Sequence, residues 1–390
     1  MRDDPQHRLA APAFLSRALE AAWRAGALSR PALDKTALIR TATARERGEL
    51  QDGAWEARLA LLTADLERHA DLNALGRTIA HGQLVGLLRQ RIAAERLWRE
   101  RPEIGEVDIR APVIILGHMR SGTTRLHRLL SADRRFAHTR LHETLSPMAR
   151  SPRRAIARAI GVQALLSACN PELRRIHPSS PRAAEEEFGL HAVSLHGAMF
   201  EAQWHVPNFA RFCEQADRSW VYAEFRRVLQ TLRWRRKDPV ERVQLLKAPQ
   251  FMADLDTVLS TFPDARILYV RRDPAEVVAS TASLVWNQRR VQSNAADRAA
   301  IGQEWLRRSR LRESAAKASL ARHPHVPILH VDYGDVSRNW RSEIARIYDF
   351  LGYPQPRGAI RRMAAVATAS SHHGHHYSLE QFGLSEARVA

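Results

Sequence analysis

The segment Gly117-His118-Met119-Arg120-Ser121-Gly122-Thr123-Thr124 holds the densest chemistry in the chain. Its G-x-x-x-x-G frame lets backbone N–H groups turn inward. A helix starting after it adds the positive potential of its N-terminus, so the segment reads as an anion cradle. A loop that binds ATP or GTP needs lysine after the second glycine. Here that position is Thr123. The positive charge has moved inside the loop, to Arg120, and Ser121, Thr123 and Thr124 add hydroxyls. Such a loop can hold a 5′-phosphate without the usual lysine and magnesium. It suits sulfuryl transfer, because a sulfate ester carries one negative charge at the group transferred and needs a metal clamp less than a phosphoryl group does.

A second anion site is expected at Tyr269-Val270-Arg271-Arg272-Asp273-Pro274. A strand ends in arginine, Asp273 can cap the following helix, and Pro274 fits its first turn. Ser280 lies two turns in, so Arg272 and Ser280 can hold one anionic group between strand end and helix. Alone this is an ordinary capped helix; together with the first loop it becomes specific.

Each motif needs a strand before it and a helix after it. Residues 111–117 form a short, β-branched apolar run closed by glycine, which reads as a buried strand, with a helix at about 123–131. Residues 243–247, 266–271 and 327–332 read as further strands, separated by helices such as 275–285 and 337–351. This alternation implies a parallel sheet covered on both faces. Residues 1–105 carry apolar residues at helical spacing, and 151–235 are mostly helical with proline breaks. The expected architecture is α/β: a three-layer, P-loop-like domain with a central parallel sheet over 106–390. A helical insertion at about 145–240 interrupts it, and a helical N-terminal extension, 1–105, precedes it.

The 390 residues are 45% hydrophobic and 26% charged, an ordinary globular balance, with a net charge of +18. Only four of the 60 basic residues are lysine, a skew that fits compositional bias. No arginine tract is interleaved with aromatics as in a single-strand platform, so nucleic acid is not an expected partner. No apolar run reaches membrane-span length. The N-terminus, with two early acids, does not read as a secretory signal. Cys169 and Cys213 form neither a disulfide framework nor a zinc signature, so a reducing cytoplasm is expected.

The paired motifs resemble those of sulfotransferases that use 3′-phosphoadenosine 5′-phosphosulfate (PAPS), particularly the bacterial group carrying R-x-G-T-T. The resemblance implies that Arg120, Ser121, Gly122, Thr123 and Thr124 hold the 5′-phosphosulfate and that Arg272 and Ser280 hold the 3′-phosphate. Leu246-Lys247-Ala248-Pro249 is similar to the family's L-K-S-P, with alanine for serine. Phe262-Pro263-Asp264-Ala265-Arg266-Ile267 and the C-terminal Gly374-His375-His376-Tyr377-Ser378-Leu379-Glu380-Gln381-Phe382-Gly383-Leu384 also match family segments. The likeness covers about residues 110–385.

Transfer needs a base for the acceptor proton and a cation near the bridging oxygen. The resemblance puts the base at Glu143, with His142 second, and Lys247 against the sulfuryl or bridging oxygen. His177-Pro178 and Glu185-Glu186-Glu187 also resemble family segments. A role for these acids in acceptor binding or base catalysis stands against the ordinary fate of clustered acids, a solvated helix face. Asp332-Tyr333 ends a strand and either lines the site or is structural. His372, His373, His375 and His376 lack a carboxylate or cysteine at metal-site spacing. They suit a loop closing over the nucleotide about Gly374, with His375 in contact, and no metal is expected. A P-loop kinase explains the strand-loop-helix equally well, but lacks its lysine and a clear magnesium acid. A small-molecule, glycan or lipid acceptor is expected. Trp204, Trp220, Phe225 and Trp234 either line its pocket or belong to the core.

Overall fold

The structure is a computed structural model that describes residues 9–176, 178–355, 357–369 and 377–389. Five strands, β1 (Val113–Leu116), β2 (Phe136–Ala137), β3 (Val243–Leu246), β4 (Arg266–Arg271) and β5 (Ile328–Asp332), make one sheet. Their order is β2-β3-β1-β4-β5 and every pairing is parallel. β1 lies at the centre, in register from Val113↔Arg266 to Leu116↔Tyr269 with β4.

The two-residue period of the strands divides the core in two. Val113, Ile115, Leu268 and Val270 face one way and pack with Leu126 and Leu129 of helix Thr123–Ser131 and Ile344 and Ile347 of helix Trp340–Leu351. Ile114, Leu116, Ile267 and Tyr269 face the other way, against Val221, Phe225 and Val228 of helix Ser219–Arg236. Strands buried on both faces are continuous apolar runs, which is why they stand out in the sequence. The architecture is the expected three-layer α/β fold. Two-residue β2 is too short to leave a pattern. The helix expected at 275–285 runs Pro274–Gln292. The one expected at 337–351 is two helices, Tyr333–Arg338 and Trp340–Leu351, the second capped by the Asn339 side chain.

The N-terminal helices Lys35–Glu46, Trp55–Arg68 and Ala74–Glu100 share a core with the middle of the chain. Leu38, Leu59, Leu62, Leu84 and Leu88 pack with Phe200, Trp204 and Phe209. Trp204 and Phe225 are therefore core residues. The start of helix Ala74–Glu100 docks on the end of helix Pro274–Gln292: Asn73 donates its backbone N–H to the Gln292 carbonyl at 3.0 Å. The approach is close enough that a Cβ on Gly76 would lie 2.0 Å from that oxygen. Both cysteines are free and buried. No helix among the described residues is long and apolar enough to cross a membrane.

Two alanine substitutions on this helix separate packing from propensity. Gly76→Ala is expected to lower unfolding free energy by about 2–3 kcal/mol, because backbone must move. Gly82→Ala, with nothing near its Cβ site, is expected to be neutral or to stabilise by up to about 1 kcal/mol. Denaturant unfolding of the two variants checks this.

Candidate active site

After β1 the chain turns through the anion loop into helix Thr123–Ser131. Gly122 adopts φ +94°, and a Cβ there would lie 2.0 Å from the Tyr333 ring. Only glycine lets loop and ring approach this closely. Arg120 has φ +65°, rare for a side chain with a Cβ. Hydrogen bonds hold it there: the Ser121 hydroxyl donates to the His118 carbonyl at 2.8 Å, and Arg272 Nη1 donates to the Arg120 carbonyl at 2.9 Å.

The two anion motifs interlock. Arg120 Nε donates to Ser280 Oγ at 3.0 Å, and its Nη1 donates to the Ile176 carbonyl at 3.1 Å. Arg272 lies 4.5 Å over the Tyr333 ring and pairs with Glu276 at 2.6 Å. Asp273 caps the following helix by accepting from Glu276 N at 3.0 Å. Burial lowers the pKa of the Arg120 guanidinium; Tyr377 opposes this and the Arg272 charge adds to it. Burial is the largest influence on Arg272 and works against its charge, but the bond to Glu276 together with the charge interactions of Tyr377, Glu276 and Tyr333 outweighs it and the pKa is raised. Tyr333 thus touches both motifs, a role the strand-end position alone does not reveal. Behind the loop, His118 Nε2 and the Tyr269 hydroxyl both reach Glu313 Oε2, at 3.0 and 2.8 Å. The His118 bond leads in lowering the Glu313 pKa to about 2.

Lys247 ends β3 fully buried. Its Nζ donates to Thr124 Oγ1 at 3.0 Å and pairs with Glu186 Oε1. Its backbone N–H donates to Glu187 Oε2 at 2.8 Å. The three consecutive acids do not form a solvated helix face. They precede helix Phe188–Ala192, and all three are buried. An antiparallel bridge, Arg140↔Ala184, and a bond from Glu185 N to the Thr139 carbonyl at 3.0 Å draw them under the end of β3. Burial pushes the Glu187 carboxyl up to about 8, against the lowering effect of the Lys247 N–H and the Thr139 hydroxyl. Glu187 is therefore protonated near neutral pH, while its neighbour Glu186 pairs with the lysine. His127 and His138 lie in the same buried region, their rings edge-to-face at 6.4 Å. Burial takes His138 down to about 3 and His127 well below its usual value.

Glu143 and His142 are placed differently. Glu143 Oε1 accepts from Arg236 Nε at 2.8 Å, while Oε2 accepts from Arg236 Nη2 and, at 2.8 Å, from the Arg140 N–H. It closes a capping box on helix Leu141–Leu145. His142 Nδ1 faces the Pro181 carbonyl at 2.7 Å. Neither residue belongs to the hydrogen-bonded set of Thr124, Lys247 and Glu186. Arg120, Ser121, Gly122, Thr123, Thr124, Lys247, Arg272 and Ser280 gather at the C-terminal ends of β1, β3 and β4. Gly374 and His375, with His177, His372, His373 and His376, lie outside the described residues. Among the described residues, no group of three or more His, Cys, Asp or Glu could hold a metal ion.

Residues 112–357, which include both anion motifs, Lys247 and the three glutamates, match the model of the sulfotransferase family. The chain is similar to the sulfotransferase STF1 of Mycobacterium tuberculosis H37Rv. That likeness has 26% identity and a TM-score of 0.80, over 93% of this chain and 98% of that one. It is also similar in fold to the sulfotransferase STF9 of Mycobacterium avium, at 20% identity and a TM-score of 0.78, over 92% and 94% of the two chains. No curated protein matches the chain.

The charge state of Glu187 predicts a pH effect. An acid with a higher pKa folded than unfolded binds more protons in the folded state, so stability falls as pH rises between the two values. The buried histidines, whose pKa values are depressed, act in the opposite sense, but only below their unfolded value of 6.5. Between pH 6.5 and 8 the Glu187 contribution stands clear of theirs. Wild-type stability is expected to fall across that window by up to about 1.4 kcal/mol per pH unit relative to Glu187→Gln. Parallel denaturation of both proteins at several pH values measures the difference; parallel curves would show that Glu187 is already ionised.

Proposed function

Because the chain belongs to the sulfotransferase family, we propose that it transfers a sulfuryl group from PAPS to a hydroxyl or amine of a small-molecule, glycan or lipid acceptor, in the cytoplasm, releasing adenosine 3′,5′-bisphosphate. The observation that carries this reading is the interlocking of two arginine-bearing anion motifs at adjacent strand ends, joined by the Arg120–Ser280 bond. In an open α/β sheet that edge is where a nucleotide lies. The loop from Arg120 to Thr124 takes the 5′-phosphosulfate, and Arg272 with Ser280 takes the 3′-phosphate. Tyr377, in the C-terminal segment, interacts electrostatically with both Arg120 and Arg272, which supports a nucleotide held between the two motifs.

In this reading the acceptor oxygen or nitrogen bonds to sulfur as the bond from sulfur to the phosphate oxygen breaks. Arg120 and Lys247 offset the charge that builds on the leaving phosphate. The acceptor proton passes to a carboxylate. Glu186 suits that role better than Glu143, because its ion pair with Lys247 places it beside Thr124 in the anion loop. Glu143, by contrast, is engaged on both oxygens by Arg236 and a backbone N–H. A protonated Glu187 next to it leaves Glu186 as the nearer charged carboxylate. A kinase reading gains nothing from the geometry, since Thr123 sits where the lysine of such a loop belongs.

Calorimetry in EDTA is expected to show micromolar binding of adenosine 3′,5′-bisphosphate, weakened about 10- to 100-fold by Arg272→Ala. Binding of ATP with magnesium, and not of the bisphosphate, would replace the sulfotransferase reading with a kinase one. Once an acceptor is in hand, Glu186→Gln is expected to lower kcat about 10²- to 10⁴-fold while leaving bisphosphate affinity within a few-fold. Glu143→Gln is expected to lower thermal stability and to affect kcat much less. The reverse pattern would assign the base to Glu143.

A further inference from the structure

Two helices of this fold are inside out. Helix Pro152–Cys169 buries only small side chains, Ala155, Ala159 and Cys169. It turns Ile160, Leu165 and Leu166 to solvent, at 55%, 49% and 42% exposure. Helix Ala10–Arg24 does the same: it buries Pro12 and Ser16 and exposes Phe14 at 65% and Leu15 at 37%, with Leu28 at 52% just beyond. The ordinary amphipathic helix has the opposite arrangement. The two helices meet where Leu19 packs against the small core of Leu75, Cys169 and Val291. Of the eight large apolar side chains exposed among the described residues, five lie on this pair of helices and a sixth, Leu28, just past the end of the first. Single exposed apolar residues are ordinary, but such a concentration marks an interaction surface.

The charges around the surface decide what it meets. Helix Pro152–Cys169 contains Arg153, Arg154 and Arg158 and no acid; helix Ala10–Arg24 contains Arg17 and Arg24 and one acid, Glu20. All five arginines are exposed. A second copy of the chain placed on this face would bring arginine against arginine. Exposed bulky apolar side chains interspersed with arginines instead suit an anionic lipid surface, where apolar groups enter the headgroup boundary and cations lie among the phosphates. The net charge of +18 favours the same partner. We propose that these two helices form a docking surface for an anionic bilayer. Helix Pro152–Cys169 is tied to the anion site at its C-terminal end, where it leads into helix Pro171–Ile176, whose last carbonyl accepts from Arg120. Docking thus holds the catalytic end of the sheet at the lipid boundary.

The test is co-sedimentation of the full chain with vesicles of phosphatidylcholine alone or with about a third phosphatidylglycerol. Binding to the anionic vesicles is expected to be about tenfold tighter than to neutral ones and to weaken with salt. The pair Ile160→Ser and Leu165→Ser, and separately Arg153→Gln and Arg154→Gln, are each expected to weaken it about tenfold. Bisphosphate binding by the same variants stays unchanged, which separates failure of this proposal from failure of the sulfotransferase reading. Absent or lipid-indifferent binding overturns the proposal. So does binding that the serine variant leaves intact, since net charge alone would then account for it. A concentration-dependent dimer in light scattering that the serine substitutions abolish would assign the face to a second copy of this chain instead.

Discussion

Two guanidinium groups share the end of this sheet, and most of the local structure exists to keep them together. Like charges in a partly buried place repel and lose hydration. The fold answers mainly with neutral acceptors: the Ser280 hydroxyl, the carbonyls of Ile176 and Arg120, and the face of Tyr333. Glu276 pairs with Arg272 alone of the two, and its carboxylate is more than half exposed. The positive potential is therefore left largely uncancelled and fixed in direction before any ligand arrives. Such preorganisation is what makes a charged site effective in a reaction that spreads negative charge onto a leaving group. The left-handed Gly122 and the strained Arg120 follow from it, since both bring the loop against Tyr333 and Arg272.

The acidic side of the site solves the converse problem. Three consecutive glutamates are buried next to one lysine, which is more negative charge than the surroundings can offset. The resolution is chemical: burial raises the Glu187 pKa to about 8, so that it keeps its proton. One charged pair, Lys247 with Glu186, is then left beside the loop. Protonation differences imposed by environment on adjacent identical residues are a frequent signature of acid–base work.

Most of the fold was legible in the sequence because parallel strands buried on both faces are short apolar runs, the form of β1, β3 and β4, while the edge strand β5 is only partly buried and stood out through its run Ile328-Leu329-His330-Val331 in alternation with the preceding helix. Both arginine motifs were legible because each is built from residues close in sequence to a strand end. What could not be read depends on contacts between distant segments. The run Glu185–Glu187 looks like a solvated helix face until the bridge to residue 140 buries it. Glu143 looks like a free carboxylate until Arg236, 93 residues away, fills it. Tyr333 follows a strand and shows no motif, yet it is the ring on which both anion motifs rest. The rarity of lysine was the one compositional clue that drew attention to Lys247, which lies buried against Thr124 and Glu186.

The position of β1 at the centre of the sheet has a temporal consequence. Its neighbours on either side, β3 and β4, are made long after it, and the Arg120–Ser280 bond joins residues 160 positions apart. A nascent chain that has released β1 and its loop has no anion site, only an apolar strand with both edges open. High contact order of this kind slows folding and prolongs exposure of such edges. The helices made before β1 between Lys35 and Glu100 cannot cover those edges, because their own partners around Phe200 and Trp204 are also still to come. The molecule is thus closed from its C-terminal half backwards, and its two arginine motifs come together only once Ser280 has been made.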